Sequence, residues 1–135
     1  MQVDTIKNKH FLKDVIAMLH EANIRVAIFI DPVEKLIEGA KEVGTDRIEF
    51  YTGPFAHDYN HDPKKAIEPY TRCAHLCNDI GLGINAGHDL NLDNLRFFND
   101  NIPNLLEVSI GHALIADSLY LGLEKTIQMY LNRLA

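Results

Sequence analysis

The stretch Asn85-Ala86-Gly87-His88 decides how this chain is read, and Ser109-Ile110-Gly111-His112 repeats it. Each places a Gly-His pair directly after an apolar run, Leu82 to Asn85 in the first case and Leu105 to Ile110 in the second. Short apolar runs of this kind read as buried strands. A strand that ends in glycine and an imidazole lets backbone approach a ligand and leaves a group that can move a proton near neutral pH. Two such ends, about one strand–helix unit apart, point to one site assembled from successive strand termini. That is how a (β/α) barrel builds its active centre.

Working outward, the periodicity predicts strands alternating with helices. Phe11, Leu12, Val15, Ile16 and Leu19 recur at helical spacing, with Asn23 as a C-terminal stop. Arg25-Val26-Ala27-Ile28-Phe29-Ile30 follows, with the pattern of a strand buried on both faces. Asp31-Pro32-Val33-Glu34 predicts a helix start, with Asp31 as cap, Pro32 at the first helical position and Glu34 as a capping-box carboxylate. Leu36, Ile37 and Ala40 form its inward stripe, and Gly44 ends it. Arg47 to Tyr51 is the next strand, closed by Thr52-Gly53. Pro54 to Asp62, with His57, Asp58 and His61, reads as a mobile, solvated loop over the strand ends. Asp62-Pro63 opens a helix with Ala66, Ile67, Tyr70, Cys73, Ala74 and Cys77 inward and Gly81 as its stop. Pro69 predicts a kink or break near Glu68. Asn91 to Phe98 reads as a short helix, and the chain finishes in helical residues with Leu119, Leu123, Ile127, Tyr130, Leu131 and Leu134 on one stripe.

These elements make four strand–helix units with parallel strands and helical crossovers, without a linker or low-complexity tract. Two α/β architectures compete. One is an open four-stranded sheet with helices on both faces, as in a flavodoxin-like domain; the other is part of a TIM (β/α)8 barrel. A barrel has eight strands and typically about 250 residues. At 135 residues the chain is expected to supply about four C-terminal strand–helix units, a half barrel, with residues 1–135 forming the C-terminal half of a single barrel domain. Residues Met1 to His10 do not read as a further strand. An open half barrel exposes two sheet edges and an apolar inner face, so the chain alone is not expected to be a stable, active monomer.

Composition narrows the function. The net charge is −6 and no Lys/Arg cluster is dense enough to track phosphates, which argues against a nucleic-acid partner. The apolar runs are far too short to span a membrane, and the polar start Met1-Gln2-Val3-Asp4 lacks a signal-peptide core, so a cytoplasmic location is expected. Cys73 and Cys77 lie about one helical turn apart, a poor disulfide geometry, and read as buried free thiols. The spacing of His57, Asp58 and His61 matches no standard metal-ligand pattern, and no nucleotide-binding glycine fingerprint, phosphate-loop lysine or serine elbow is present.

Glu49 stands inside a strand, where a carboxylate is costly unless paired, so it reads either as an ion-pair member or as a pocket-facing acid–base group. His88 follows Gly87 at a strand terminus and reads as a proton-transfer group, with a surface histidine as the alternative. Gly111-His112 precedes Ala113-Leu114-Ile115-Ala116, an apparent helix start whose free amides suit an anion such as a substrate phosphate.

Four strings, VAIFIDP (26–32), IEFYTG (48–53), GLGINAGH (81–88) and VSIGHALI (108–115), together resemble the C-terminal half of the pyridoxine 5′-phosphate synthase family, over nearly the whole chain from about Phe11. The resemblance implies a TIM barrel with extra helices that self-associates, usually as an octamer. It implies condensation of 1-deoxy-D-xylulose 5-phosphate with 3-amino-2-oxopropyl phosphate to pyridoxine 5′-phosphate, phosphate and water, without a metal or organic cofactor. By position it implies His88 as proton donor, Glu49 as the transition-state-stabilising carboxylate, and Gly111 and His112 as binders of the aminooxopropyl phosphate. Asp89 falls where many members have a substrate-contacting glycine, and its charge departs from that pattern. The family's other catalytic histidine and glutamate come from the first half of the barrel, which these residues do not include. A non-catalytic fragment that needs a partner half, and another sugar-phosphate barrel enzyme, are the competing functions; the lack of a strand lysine suited to a Schiff base counts against an aldolase.

Overall fold

Strand and helix alternate through residues 3–135, which the computed structural model describes. In chain order the elements are α1 (Lys9–Glu21), β1 (Ala27–Ile30), α2 (Glu34–Val43), β2 (Arg47–Tyr51), α3 (Gly53–Asp58), α4 (Pro63–Ile80), β3 (Gly83–Gly87), α5 (Leu95–Asn101), β4 (Leu105–Ser109), α6 (His112–Leu121) and α7 (Leu123–Leu134). The four strands form one sheet, all neighbours parallel, in the order β1-β2-β3-β4.

That order decides between the two architectures. A doubly wound sheet needs a reversal of strand order to send helices to its second face. Here each strand lies beside its predecessor, and crossovers of one hand then stack every helix on the same side. Burial agrees. Ile28, Ile30, Ile48, Phe50, Ile84 and Ala86 point into the helical layer and are almost fully buried. On the opposite face Ala27, Leu106, Glu107 and Ser109 are exposed, and Phe29, Arg47, Glu49 and Tyr51 are half-buried. The expectation that the first strand is buried on both faces is therefore corrected, because no element of the described residues covers its second side. The fold is a parallel α/β sheet wound in one direction, consistent with part of a TIM barrel and not with a flavodoxin-like domain.

The uncovered face has its own bonding. Arg47 reaches Glu107 at 3.1 Å and Asn85 at 3.2 Å, Asn85 donates to Glu107 at 2.9 Å, and Arg25 pairs with Glu107 at 3.2 Å. This network runs diagonally across β2, β3 and β4 and reaches Arg25, just ahead of β1.

Several helix limits follow the caps foreseen. Asn23 lies in the left-handed region (φ 57°) past α1, with its amide on the His20 carbonyl and the Ile24 amide on that of Leu19, a Schellman closure. Gly44 (φ 87°) and Gly81 (φ 70°) end α2 and α4, and Asp62 caps α4 by accepting from the Lys65 amide. Others depart. Asp31 is not a cap: its carbonyl accepts from the Val33 amide in a tight turn, and α2 starts at Glu34 behind an extended Val33. The residue before a proline is pushed away from helical geometry, which delays the start. Helix α4 runs on through Pro69 without a break; the burial of Ile67, Tyr70, Cys73, Ala74 and Cys77 around it outweighs one missing backbone bond.

The segment after Gly53 is a helix, not a loose loop. Phe55 is buried against Tyr59, Tyr70 and Phe98. The expected helix over Asn91–Phe98 begins only at Leu95, because Asn91 and Asn94 first form a side-chain-bonded turn. The C-terminal stripe is also corrected. Gly122 divides the segment into α6 and α7, and of the stripe Tyr130 is buried, whereas Leu119, Leu123, Ile127 and Leu131 are exposed. Val3 donates its amide to the Phe29 carbonyl beside β1, and the remaining residues before α1 form no strand. Met1 and Gln2, which belong to that reading, lie outside the described residues. No helix among the described residues is long and apolar enough to cross a membrane.

Candidate active site at the strand ends

The C-terminal ends of β2, β3 and β4 come together at one rim. In the sheet register Tyr51 stands opposite Gly87, and Gly87 opposite Ser109. Glu49 lies one pleat below Tyr51, and its carboxylate passes over Gly87: a methyl group on Gly87 would overlap Glu49 Oε1 and press on Ser109 Cβ at 3.0 Å. Glycine at 87 is thus what allows the carboxylate to rest beside the root of His88. The strand-borne cation Arg47 pairs with Glu107, which shares the register level of Glu49 two strands away. Glu49 is left facing the open side of the sheet rather than serving as that cation's partner.

Immediately past β3 the backbone is strained. His88 (φ 89°) and Asp89 (φ 58°) both occupy the left-handed region, where bulky residues are uncommon and each costs about 1–3 kcal/mol. Buried side chains hold the turn in place. Thr52, fully buried, donates its amide to the Gly87 carbonyl at 3.0 Å, and its hydroxyl sits against both the Gly87 and His88 carbonyls. Asn94, 2% exposed, donates to the Asp89 carbonyl at 3.2 Å and accepts from the Asn91 amide at 2.9 Å. Three successive carbonyls are thus engaged by two residues, Thr52 through its amide and its single hydroxyl proton and Asn94 through its side chain. Behind them, Tyr70 donates to the Tyr51 carbonyl at 2.7 Å; burial pushes its hydroxyl well above the ordinary tyrosine range and keeps it a donor.

The imidazole of His88 meets the edge of the Tyr51 ring at 5.0 Å between centroids, and its Nδ1 lies 3.0 Å from Asp89 Oδ2. A cavity of about 630 Å³ opens between the ends of β3 and β4, lined by His88, Asp89, Asn91, Ser109, Gly111 and His112 among others. The first intrahelical bond at the start of α6 runs from the Ile115 amide to the Gly111 carbonyl. The amides of His112, Ala113 and Leu114 precede that bond, and an anion at this helix start would find them free. Gly111 itself has a negative φ of −106° and open space around it, so crowding does not require glycine there.

Of the five residues singled out in the sequence, His88, Asp89, Gly111 and His112 share the cavity, and Glu49 approaches from the sheet side without lining it. His57, Asp58 and His61 lie on or beside α3, exposed and apart from it. Among the described residues no three His, Cys, Asp or Glu side chains gather as a metal site. Cys73 and Cys77 are buried free thiols, pushed up to about 11 and about 12 by their apolar surroundings. From sequence, Tyr70 takes an inward position but no part in the site, and Thr52, Asn94 and Tyr51 take none; the parts of Thr52, Asn94 and Tyr70 depend on burial that only the tertiary fold supplies.

The family model described as "Pyridoxal phosphate biosynthesis protein PdxJ" matches residues 2–135. The chain belongs to this family. Among curated relatives of the PdxJ family, the chain is 60% identical over 131 residues to a protein of Flavobacterium johnsoniae named "Pyridoxine 5'-phosphate synthase", covering 97% of this chain and 55% of that one. Proteins of the same name from Christiangramia forsetii and Cytophaga hutchinsonii are 56% and 51% identical, again over 97% of this chain and 55% of each relative. The chain spans about half the length of the curated relatives it matches.

Proposed function

We propose that residues 1–135 form the C-terminal half of a pyridoxine 5′-phosphate synthase barrel and supply part of its active site. The observation that carries this reading is the convergence of Glu49, His88 and the start of α6 at one rim of a sheet whose inner face is open. Sheet order, the uncovered face and the free outer edge of β4 support a barrel completed by a further set of strand–helix units.

In this reading the substrates are 1-deoxy-D-xylulose 5-phosphate and 3-amino-2-oxopropyl phosphate, and the products pyridoxine 5′-phosphate, phosphate and water. The chemistry is imine formation followed by proton transfers and eliminations, which calls for acids and bases inside a closed pocket. His88 donates a proton to a departing oxygen, and Glu49 stabilises positive charge that develops beside it. The amides at the start of α6 hold the phosphate of the amino ketone, with Gly111 and His112 at the contact; no lysine or arginine lines that cavity. Asp89 contributes backbone, not charge, to that phosphate. The enzyme works in the cytoplasm and self-associates. The exposed apolar side chains Ile115, Leu119, Tyr120 and Leu123 on α6 and α7 support association.

The test requires both halves of the barrel. There, His88→Ala is expected to lower turnover of the two substrates by about 10²–10⁴-fold with little change in melting temperature. Near-normal rates in that variant remove His88 from the mechanism. Light scattering that finds the 135-residue chain monomeric, together with turnover by that species, overturns the half-barrel reading.

A further inference from the structure

We propose that Asp89 is a positioning residue for His88: its carboxylate pairs with Nδ1 and leaves Nε2 as the ring nitrogen that meets substrate. The functional consequence rests on the synthase reading above, whereas the pairing rests on geometry alone. Asp89 Oδ2 and His88 Nδ1 are 3.0 Å apart, and both side chains line the cavity between β3 and β4. An ionised carboxylate can only accept, so a proton shared between these atoms belongs to Nδ1. Nε2 is then the one nitrogen free to give or take a proton. The Tyr51 ring packs edge-on against the imidazole and limits its rotation from the sheet side.

The backbone supports the same assignment. Glycine would adopt φ 58° at position 89 without strain, yet an aspartate stands there, next to a second strained residue. Thr52 and Asn94 hold the carbonyls on either side of that strain. A turn that needed only to reverse the chain would not require a carboxylate at this position. The other ionisable groups around the imidazole are Glu49 from β2, whose carboxylate lies over Gly87, the Tyr51 hydroxyl, and His112 at the start of α6. A negative charge in a phosphate-binding cavity also opposes the ligand, so binding and chemistry respond to Asp89 in opposite senses. That opposition makes the role measurable.

With both halves of the barrel present, Asp89→Gly is expected to melt at the wild-type temperature or above, because it relieves the backbone. Its kcat falls about tenfold, a fraction of what a general acid contributes, while KM for the phosphorylated substrates is unchanged or lower. Asp89→Asn tolerates the same backbone and keeps an acceptor for Nδ1–H, and so recovers part of the loss. ¹⁵N spectra of the ring, at a pH where it is neutral, read the pairing without turnover: the proton sits on Nδ1 in the wild type and mainly on Nε2 in Asp89→Gly. A Gly variant with unchanged kcat and lowered KM overturns the proposal, since Asp89 would then be only an opposing charge. A wild-type ring without a proton on Nδ1 overturns it equally. If His88→Ala retains full turnover, the synthase role of His88 fails, and the spectra still decide whether Asp89 pairs with it.

Discussion

The ends of β3 and β4 carry the same dipeptide, and the fold treats the two in opposite ways. Gly87-His88 is crowded, strained and fastened: Glu49 and Ser109 close on the glycine, φ turns positive at His88, and Thr52 and Asn94 hold the carbonyls. Gly111-His112 is open: the glycine has a negative φ, nothing lies within 4 Å of where its side chain would be, and α6 beyond it has no fully buried residue. Under the proposed function the first holds a catalytic group, for which small displacements matter. Under the same proposal the second offers several amides at a helix start to an anion, a contact shared among donors and less dependent on any one atom's position. A Gly-His motif at a strand end therefore has no single meaning; its neighbours assign the role.

Alanine at each glycine breaks the comparison most directly. Gly87→Ala meets the far end of the Glu49 side chain and the Ser109 Cβ. The flexible Glu49 yields, so folding is expected to lose little, on the order of 1–2 kcal/mol. Turnover in the completed barrel falls about 10²-fold, the scale of an ångström's misplacement of a catalytic group. Gly111→Ala meets open space at a negative φ and is expected to keep near-normal kcat and stability. Equal losses at the two glycines, measured by steady-state kinetics and denaturant melts, would erase the distinction.

Next in size is the clamp. Thr52→Val removes the hydroxyl that serves the Gly87 and His88 carbonyls in a fully buried position. Stability falls by about 1–3 kcal/mol as a buried acceptor loses its donor, and turnover falls with it. Thr52→Ser keeps the hydroxyl and restores most of both. A Val variant as stable and active as wild type would show that the strained turn holds itself.

Much of the fold was legible because it depends on local chemistry. Glycine and asparagine stops, the Asp62 cap and the apolar runs each act over a few residues, and Asn23, Gly44 and Gly81 end their helices where the sequence suggests. The candidate site was legible where a titratable residue followed a strand, at His88 and His112. The clamp was not. Thr52 and Asn94 look like ordinary loop polars, and their function exists only because packing buries them against another strand's carbonyls. The apolar stripe from Leu119 to Leu134 was legible as a face but not as an exposed one, because periodicity shows which face is apolar, not whether anything covers it.

That uncovered stripe yields a subtler contrast in dynamics. The layer behind β3 contains Cys73 and Cys77, fully buried and with thiols held far above the pH of labelling reagents. Both are expected to resist alkylation in the native chain and to react on unfolding. Amides of α6 are expected to exchange with solvent faster than those of β3 and α4, since few buried apolar contacts protect them. Comparable exchange across the four elements would mean that the β4 side is as firmly held as the β3 side.

The smallest expected effect lies at the opposite rim and serves as the control. Asp46 accepts from the Val26 amide at 2.7 Å and contacts His20 at 2.9 Å, joining the starts of β1 and β2. The Val26 amide, and after it His20, hold this carboxyl below its usual range. A carboxyl depressed in the folded state adds stability that is complete above the unfolded value near 3.9 and disappears as pH falls through the lower folded value. Asp46→Asn keeps an acceptor for Val26 but loses the charge. Urea melts should show a small deficit for the variant at neutral pH, because the pair is largely exposed. That deficit should close as pH falls through the lowered folded value, where the wild-type carboxyl itself takes up a proton. The contrast between Gly87→Ala and Gly111→Ala should survive unchanged in the Asp46→Asn background, since sites at opposite ends of the strands share no partners and their effects add. If it does not, the difference between the two Gly-His ends reflects a global softening of the sheet, not the local fastening of the turn at His88.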